Sequence, residues 1–440
     1  MEKLEDRGQV HMANLLGTLR SAASGMNASQ TAIQTTSHNI NNLNTPGYSR
    51  QRVEQKANRP FSQPGLMSSH LGAGQLGTGV QVTDITRIRN NFYDFQFRSE
   101  SHIYGEISVK YDYYSNMENI FNEPSDNAIS ASLNKFFNGW HEISKDPNNA
   151  GAKNIVIENA KFLANNISQA YNKLGKLKEN IDKQTSDIVS DVNSMLTSLE
   201  DLEKNIKILQ NSGKSPNDLM DERDRILDDL SFKLNIQSDD VKAAMSDGSV
   251  TIDELAAIDS SGELSGALKM AGEIESYMND LKNLAEGIAK SVNNIYNAGL
   301  EPGDTENIFV FNGSGDPILK VNDEFANDPS KIKVTTETGL NLYKLKDEKI
   351  NIDGKDMTIN NYYNSIIEKL GHATQSVVRE EKNQSQLMLS IDNSRLSVSG
   401  VSLDEEMISL IQFQHAYSAS AKVVSTIDSL LDVVVNGLVR

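Results

Sequence analysis

Apolar residues near the N-terminus repeat at the spacing of a helix. From residue 15 to residue 43 they alternate by four and three positions, with Ser29 and Thr36 filling two gaps. Such a heptad repeat places one apolar seam along a helix that packs against partner helices. We predict an assembly interface at the residues of this seam, which are Leu15, Leu19, Ala22, Met26, Ile33, Ile40 and Leu43.

The C-terminal segment, from Leu403 onward, carries two apolar seams side by side. Two seams make a wide apolar face, which is suited to a multi-helix bundle. The first seam is interrupted by Gln414 and Asp428, and the second runs from Phe413 to Val434. The interface residues predicted on the first seam are Met407, Leu410, Tyr417, Ala421, Val424, Leu431, Val435 and Leu438.

The N-terminal helix has an unusual polar side. No Asp, Glu, Lys or Arg occurs from Ser21 to Ser49, and Ser, Thr, Asn and Gln take their place. An ordinary surface helix carries charged residues on its solvent-facing side. One such helix could belong to the core of a globular domain. Two wide apolar or uncharged helices, one at each end of the chain, favour joint packing and assembly.

The uncharged stretch ends in a turn signal. Pro46 disfavours a helical conformation at Thr45, and Pro-Gly is typical of a type II turn with Gly47 at positive φ. We predict that Asn44, Thr45, Pro46, Gly47 and Tyr48 form the boundary between the terminal helix and the following domain.

Between the two ends the pattern predicts further helices and one β-containing region. Helical spacing covers residues 160–209, 218–234, 264–300 and 361–391, and β-prone runs occur at 308–311, 332–334 and 350–352. The predicted fold class is mainly α. It is an elongated helical bundle whose N- and C-terminal helices pair as a coiled coil, with a small β-containing insertion.

The same pattern predicts the domain organisation. Residues 1–11 are a charged stretch that we interpret as a possible extension before the true start at Met12. The predicted domains are a terminal coiled-coil assembly domain at 12–60 with 403–440, a helical rod domain at 61–300 with 361–402, and an outer insertion at 301–360.

Composition narrows the possible functions. The 440 residues carry a formal net charge of −18, which argues against nucleic acid as the main partner because phosphate binding needs a basic surface. The chain has no cysteine, so disulfides and thiolate chemistry are excluded. No run of eighteen apolar residues occurs, so membrane insertion is not expected.

Three motif fragments were candidates for chemistry, and each lacks a required residue. His141-Glu-Ile-Ser-Lys145 begins like a zinc-peptidase motif but has lysine where the second histidine ligand belongs. The phosphate-loop fragment at 212–215 lacks its first glycine. The calcium-loop fragment at 243–254 has Ala243 and Met245 where oxygen ligands are required. We therefore expect no catalytic site, no cofactor and no metal.

Both termini resemble the signatures of the bacterial flagellar axial protein family, which includes rod and hook proteins. Residues 19–51 contain Ser-Gly, then Gln, then Asn-x-Asn-Thr-x-Gly, and residues 397–438 contain Ser-Gly-Val-x-Leu-Asp-Glu-Glu, Gln-x-Ala-Tyr and Ala-x-Ala-Lys-Val. Rod and hook proteins usually continue with Phe or Tyr and then Lys. Tyr48-Ser49-Arg50-Gln51 is instead closer to the branch that joins hook to filament.

This resemblance implies a secreted structural protein of the flagellum, exported through the type III channel and needed for motility. It implies a ring-like homo-oligomer that contacts the hook protein, a second junction protein on the filament side and a cytoplasmic export chaperone. Three alternatives stay open: a hook or distal rod protein, a surface peptidase built on residues 141–145, and an adhesin role for residues 308–359.

Overall fold

The computed structural model describes residues 2–59, 77–258, 260–301, 304–313 and 315–437, with the backbone alone for 2–14, 247 and 434–437. Its internal contacts divide the chain into two compact units. The first unit comprises Met1–Arg98, Met195–Leu230 and Leu389–Arg440, and the second comprises Ser99–Ser194 and Ser231–Met388. The three-part division predicted from the sequence stays a prediction.

The protein is mainly helical, as predicted. Its helices are α1 Glu2–Asn41, α2 Asn91–Phe121, α3 Ile129–Lys145, α4 Ala150–Asn211, α5 Asn217–Lys233, α6 Asp239–Ala244, α7 Ile252–Ala256, α8 Glu263–Ala298, α9 Asp323–Asn327, α10 Thr336–Lys344, α11 Ile359–Ser399 and α12 Leu403–Gly437. Its strands are β1 Gln51–Ala57, β2 Val80–Arg87, β3 Phe309–Phe311, β4 Leu319–Val321, β5 Ile350–Ile352 and β6 Lys355–Met357.

In the first unit, the terminal helices α1 and α12 pack against each other, and a two-stranded sheet packs on α1. Strands β1 and β2 are antiparallel, with Gln51 opposite Arg87 and a bulge between Glu54 and Gln55. The predicted pairing of the terminal helices is confirmed, while the assembly interface predicted on their seams stays a prediction. The sheet was not predicted.

The small residues of α1 allow the sheet to approach closely. Gly79, at φ +99°, lies so near the helix that an added Cβ would be 2.1 Å from the Ser24 Oγ. That hydroxyl accepts a hydrogen bond from the backbone N–H of Val80 at 3.1 Å. A larger or charged side chain at position 24 would prevent this contact, which explains why this position in the uncharged part of α1, from Ser21 onward, carries a small residue.

In the second unit, aromatic side chains of α3 form the centre of a core. The ring of Phe136 lies 6.1 Å from Trp140 in an edge-on arrangement and 5.4 Å from Phe309 of β3. Both Phe136 and Trp140 are fully buried. Helix α10 packs on α3 and α8, and α8 contacts β3, β4 and β5.

The helices predicted in the middle of the chain are confirmed, but α4 begins ten residues before its predicted start and α11 ends eight residues after its predicted end. One predicted strand, at residues 332–334, is wrong. Ile332 follows a short 3₁₀ turn, and its carbonyl accepts a hydrogen bond from Lys153 Nζ at 2.7 Å. The N–H of Lys333 donates to the Tyr296 hydroxyl at 3.1 Å. Side chains therefore hydrogen-bond to these two backbone groups, which the neighbouring strand of a β-sheet would otherwise pair with.

The N-terminal helix also differs from its prediction at both ends. Its backbone is helical from Glu2 rather than from Leu15, and it ends at Asn41. Leu43, predicted as the last seam residue of the helix, lies in the turn that follows. The Asn42 side-chain amide and its backbone N–H both donate to the His38 carbonyl, at 3.0 and 3.1 Å, and the Thr45 N–H then donates to the Asn42 carbonyl at 3.0 Å. The chain therefore turns two residues earlier than the apolar pattern suggests.

Candidate functional site

The candidate site is the pair formed by α1 and α12, together with the turn at its base. Asn39 Nδ2 donates to Glu406 Oε2 at 3.0 Å. A Cβ added to Gly25 would lie 3.3 Å from Ser420 Oγ. Gly25 precedes Asn39 by as many residues as Ser420 follows Glu406, so the two helices run antiparallel.

The residues of α1 that are most buried are small. The predicted seam residues on the helix, from Leu15 to Ile40, are all only partly buried. The buried face shares Ser29 and Thr36 with the seam and otherwise lies beside it, at Ala28, Ala32, Thr35 and Asn39. Small side chains let two helices and a sheet approach closely, which leaves the larger apolar side chains at the edge of the contact.

Helix α12 shows the same division. Leu410, Tyr417, Ala421, Val424 and Leu431 of the predicted seam are partly buried. Met407 is exposed, the side chain of Val435 is not described, and Leu438 lies outside the described residues. Large apolar residues elsewhere on this helix are also exposed, and these are Leu403, Ile408, Ile411, Val423, Leu430 and Val433.

The boundary turn has the predicted geometry. Gly47 lies at φ +80°, and the N–H of Tyr48 donates to the carbonyl of Thr45 at 3.2 Å, as a type II turn requires. Asn44, Thr45, Pro46 and Gly47 are exposed. Tyr48 is half-buried, so it is the residue of the turn that connects to the interior.

Asn39 joins three parts of the first unit. Its Oδ1 accepts from the Gln51 N–H at 3.0 Å and from the Tyr48 hydroxyl at 2.8 Å. Its Nδ2 donates to the Gln51 carbonyl at 2.9 Å and to Glu406. The amide thus satisfies all its hydrogen bonds while only 1% exposed. We call Asn39, Tyr48, Arg50, Gln51 and Glu406 the boundary cluster.

Glu406 is a buried carboxylate with a charged partner. Its residue is 2% exposed, and its Oε1 accepts from Arg50 Nε at 2.7 Å. Arg50 also donates to the exposed Glu405 at 3.0 Å. A buried charge is tolerated when it is paired and hydrogen-bonded, as Glu406 is by Arg50 and Asn39.

Burial raises the pKa of the Tyr48 hydroxyl above its ordinary value, and the nearby carboxylates of Asp218, Asp221 and Glu406 raise it further. The phenol therefore stays protonated and keeps its donor for Asn39. Asp221 also accepts from the backbone N–H of Ser49 at 3.0 Å. Carboxylates thus hold the chain on both sides of Tyr48.

A second cluster of charges lies beside the turn, and we call it the aspartate–arginine network. Arg87 Nη1 of β2 lies 2.7 Å from Asp221 Oδ1 and 2.9 Å from Asp224 Oδ2. The network consists of Asp94, Asp221, Asp224 and Asp228 with Arg87, Arg89, Arg98 and Arg395. It has equal numbers of acidic and basic groups, all with small exposed fractions.

The network joins segments that are far apart in the sequence. Asp228 of α5 accepts from Arg98 Nε through one oxygen and from Arg395 Nη1 through the other, each at 2.6 Å. Arg89 Nε lies 2.7 Å from Asp94. Segments of β2, α2, α5 and α11 are therefore held together by charge-assisted hydrogen bonds, which are the stronger kind.

The network keeps the Asp224 carboxylate ionised. Burial alone would raise the pKa of Asp224, but Arg89, Arg223 and Arg87 outweigh that effect and hold the pKa below its ordinary value. Within the described residues, the arrangement neutralises buried charges by pairing each aspartate with an arginine.

The motif fragments have structural explanations within the described residues. The His141 ring packs 4.7 Å from the Tyr343 ring, and Lys145 pairs with Glu142. Thr251 and Glu254 form a capping box at the start of α7. Across the described ranges, no three metal-ligating side chains converge, and no helix has the length and hydropathy of a membrane span.

Sequence reasoning missed Asn39 and the aspartate–arginine network. The signal for Asn39 was the run of small residues at positions 28, 32, 35 and 39, which marks a second helix face. The network had no such signal, because Arg87 and Asp224 are separated by more than a hundred residues.

Family models match three parts of the chain. Residues 114–254 match the helical domain of flagellar hook-associated protein FlgK. Residues 19–48 match the flagella basal body rod protein model, and residues 393–437 match the C-terminal model of the flagellar basal body rod FlgEFG proteins.

Curated relatives match along the whole chain. Flagellar hook-associated protein 1 of Bacillus subtilis (strain 168) is 30% identical over 96% of this chain and 98% of the relative. The protein of that name from Escherichia coli (strain K12) is 22% identical over 95% and 99%. The solved flagellar hook junction protein FlgK from Burkholderia pseudomallei is 18% identical with a TM-score of 0.40, covering 49% of this chain and 46% of that one.

Proposed function

Because this chain belongs to the flagellar hook-associated protein 1 family, we propose that it polymerises at the hook–filament junction and connects hook to filament. The family is one of flagellar structural proteins. The hook and distal rod alternatives are less well supported, since the rod models match only residues 19–48 and 393–437.

The observation that carries the proposal is the incomplete burial of the α1–α12 pair. Ile408 is 58% exposed and Val433 is 66% exposed on a helix whose partner covers only one side. Contiguous apolar surface of this kind is typical of interaction sites. In a polymer, neighbouring copies of the pair would cover these residues, and the uncharged surface of α1 would meet little electrostatic opposition.

The partners follow from this position. We infer a ring of copies of this chain, with the hook protein on one side and a second junction protein on the filament side. Before export, a cytoplasmic chaperone would cover the apolar residues of α12. The assembled protein would lie outside the cell, after passage through the flagellar export channel. We infer no catalytic role.

Leu431→Asp tests the proposal because it places a charge in the predicted seam of α12. A buried unpaired charge costs several kcal/mol, so subunits should fail to assemble. We expect hooks without filaments, flagellin shed into the medium and loss of motility, all scored by electron microscopy and swarming.

Ser418→Asp is the matched control. It adds the same charge at an exposed position of the same helix that lies outside the predicted seam. Circular dichroism of the purified Leu431→Asp protein should show that the second unit is folded. Normal filaments in the Leu431→Asp strain would refute the assembly role.

A further inference from the structure

The contact between α1 and α12 has a seam that repeats. Leu410, Tyr417 and Val424 of α12 recur one heptad apart. In the antiparallel register that places Glu406 beside Asn39, they are level with positions 35, 28 and 21 of α1, which are Thr, Ala and Ser. If α12 were shifted along α1 by seven residues, its apolar side chains would again lie against small or apolar side chains of α1. A repeating seam of this kind therefore does not determine its own register.

The polar contact between Asn39 and Glu406 does not repeat. In a pair shifted by one heptad, Glu406 would lie opposite Ala32 in one direction or beyond the end of α1 in the other. The buried carboxylate would lose Asn39, and the Asn39 amide would lose one of its four partners. Unpaired buried polar groups carry a large desolvation cost, so the shifted pairs are penalised.

We propose that Asn39 and Glu406 set the register of the α1–α12 pair, with Arg50 as the counter-ion that makes the burial of Glu406 tolerable. Single buried polar residues serve this purpose in coiled coils, where they specify register at some cost in stability. The inference goes beyond the proposed function, because it concerns the pairing within one chain and stands whether or not the chain polymerises.

Disulfide trapping can report the register directly, because the chain contains no cysteine. Gly25→Cys with Ser420→Cys reports the native register, since the added Cβ lies 3.3 Å from Ser420 Oγ. Thr18→Cys or Ala32→Cys with Ser420→Cys reports a shift of one heptad in either direction. In the native register, the two residues of each of these pairs are offset by about 10 Å along the helix axis, which is beyond the reach of a disulfide.

The decisive variant is Asn39→Leu/Glu406→Leu, combined with each cysteine pair in the full chain. It removes both side chains of the polar contact and leaves Arg50 paired with Glu405, while the backbone groups of Gln51 and the Tyr48 hydroxyl lose their Asn39 partner. We expect the disulfide yield of the native-register cysteine pair to fall at least two-fold. The disulfide yields of the two shifted-register pairs should rise from background to a similar level. Helix content by circular dichroism should be unchanged, since apolar residues replace the pair.

Ile427→Ala is the control, because it weakens the apolar contact of α12 without touching the polar pair. Ile427→Ala should lower the free energy of unfolding, but only the native-register cysteine pair should form a disulfide. The proposal would be overturned if, in the double variant, only the native-register cysteine pair formed a disulfide, at the rate seen without the two leucine substitutions. Loss of trapping at all three pairs would overturn it too, because the polar residues would then supply adhesion rather than register.

Discussion

The α3–α8 core of the second unit buries its bulky side chains, whereas the α1–α12 pair of the first unit leaves many of them partly or wholly exposed. Trp140, Phe136 and Tyr277 are fully buried in the core. In the pair, the fully buried residues of α1 are Ala, Ser, Thr and Asn, and Leu430 of α12 is 49% exposed.

This difference separates two purposes of an apolar residue. In the core, each large side chain removes its surface from water within the chain, which is the main source of folding free energy. In the α1–α12 pair, small residues occupy the contact and let the helices approach closely, while large apolar residues lie at the surface. The core is complete in one copy, while the pair leaves apolar side chains uncovered.

Trp140→Ala should give the largest effect, because it empties the centre of the core. The expected loss is about 3–5 kcal/mol in the free energy of unfolding of the second unit, as for other large-to-small aromatic substitutions. Urea unfolding followed by hydrogen exchange in α3 and α8 measures it. Unchanged stability would mean that the core is not the main source of stability of that unit.

Trp140→Phe is the matched variant. Among the described residues, the indole Nε1–H of Trp140 has no hydrogen-bond acceptor. Phenylalanine removes this unsatisfied donor while it keeps most of the ring volume, so its cost should be clearly smaller than that of alanine. A loss as large as that of Trp140→Ala would contradict this interpretation.

Asp224→Asn tests whether charges, rather than apolar packing, hold the first unit. Breaking the network should cost on the order of 3 kcal/mol at neutral pH, the low end for a buried ion pair, because the neighbouring aspartates remain. The measurement is urea unfolding with hydrogen exchange in residues 217–230.

The pH dependence has a defined sign. The pKa of Asp224 is lower in the folded than in the unfolded chain, where it is about 3.9. Its stabilisation is therefore complete above that pH and is lost as the pH falls through the folded pKa. The gap between wild type and Asp224→Asn should narrow below pH 4. Asp126→Asn, at an exposed aspartate, should leave the pH profile unchanged.

Leu430→Ser should give the smallest effect on the monomer and the sharpest contrast with the core. The side chain is already half exposed, so the free energy of unfolding should change by about 0.5 kcal/mol or less. Filament attachment in cells should nevertheless fall, because the residue would be buried only in the polymer. Ile427→Ala, at a buried position one turn away, should destabilise the monomer by about 2–5 kcal/mol.

The sequence predicted the helices well and the sheet and the charge network poorly. Helical spacing is a local property, so both ends of α8 were predicted within two residues, whereas α4 begins ten residues before its predicted start. Strands β1 and β2 carry mixed polar and apolar residues whose pairing depends on the surface of α1. The predicted strand at 332–334 failed because Lys153 and Tyr296 take its backbone groups.

The sequence by itself determined that the two terminal segments are helices with apolar faces that pack against other helices. The periodicity of both segments, and the lack of charge from Ser21 to Ser49 in the N-terminal one, are properties of neighbouring residues in the sequence, so they can be recognised without the folded structure. Only the tertiary structure decided which face of α1 is buried and where α12 begins its contact. Asn39 and Glu406 meet across 367 positions of sequence, and a hydrogen bond between such distant residues depends on the folded path of the chain.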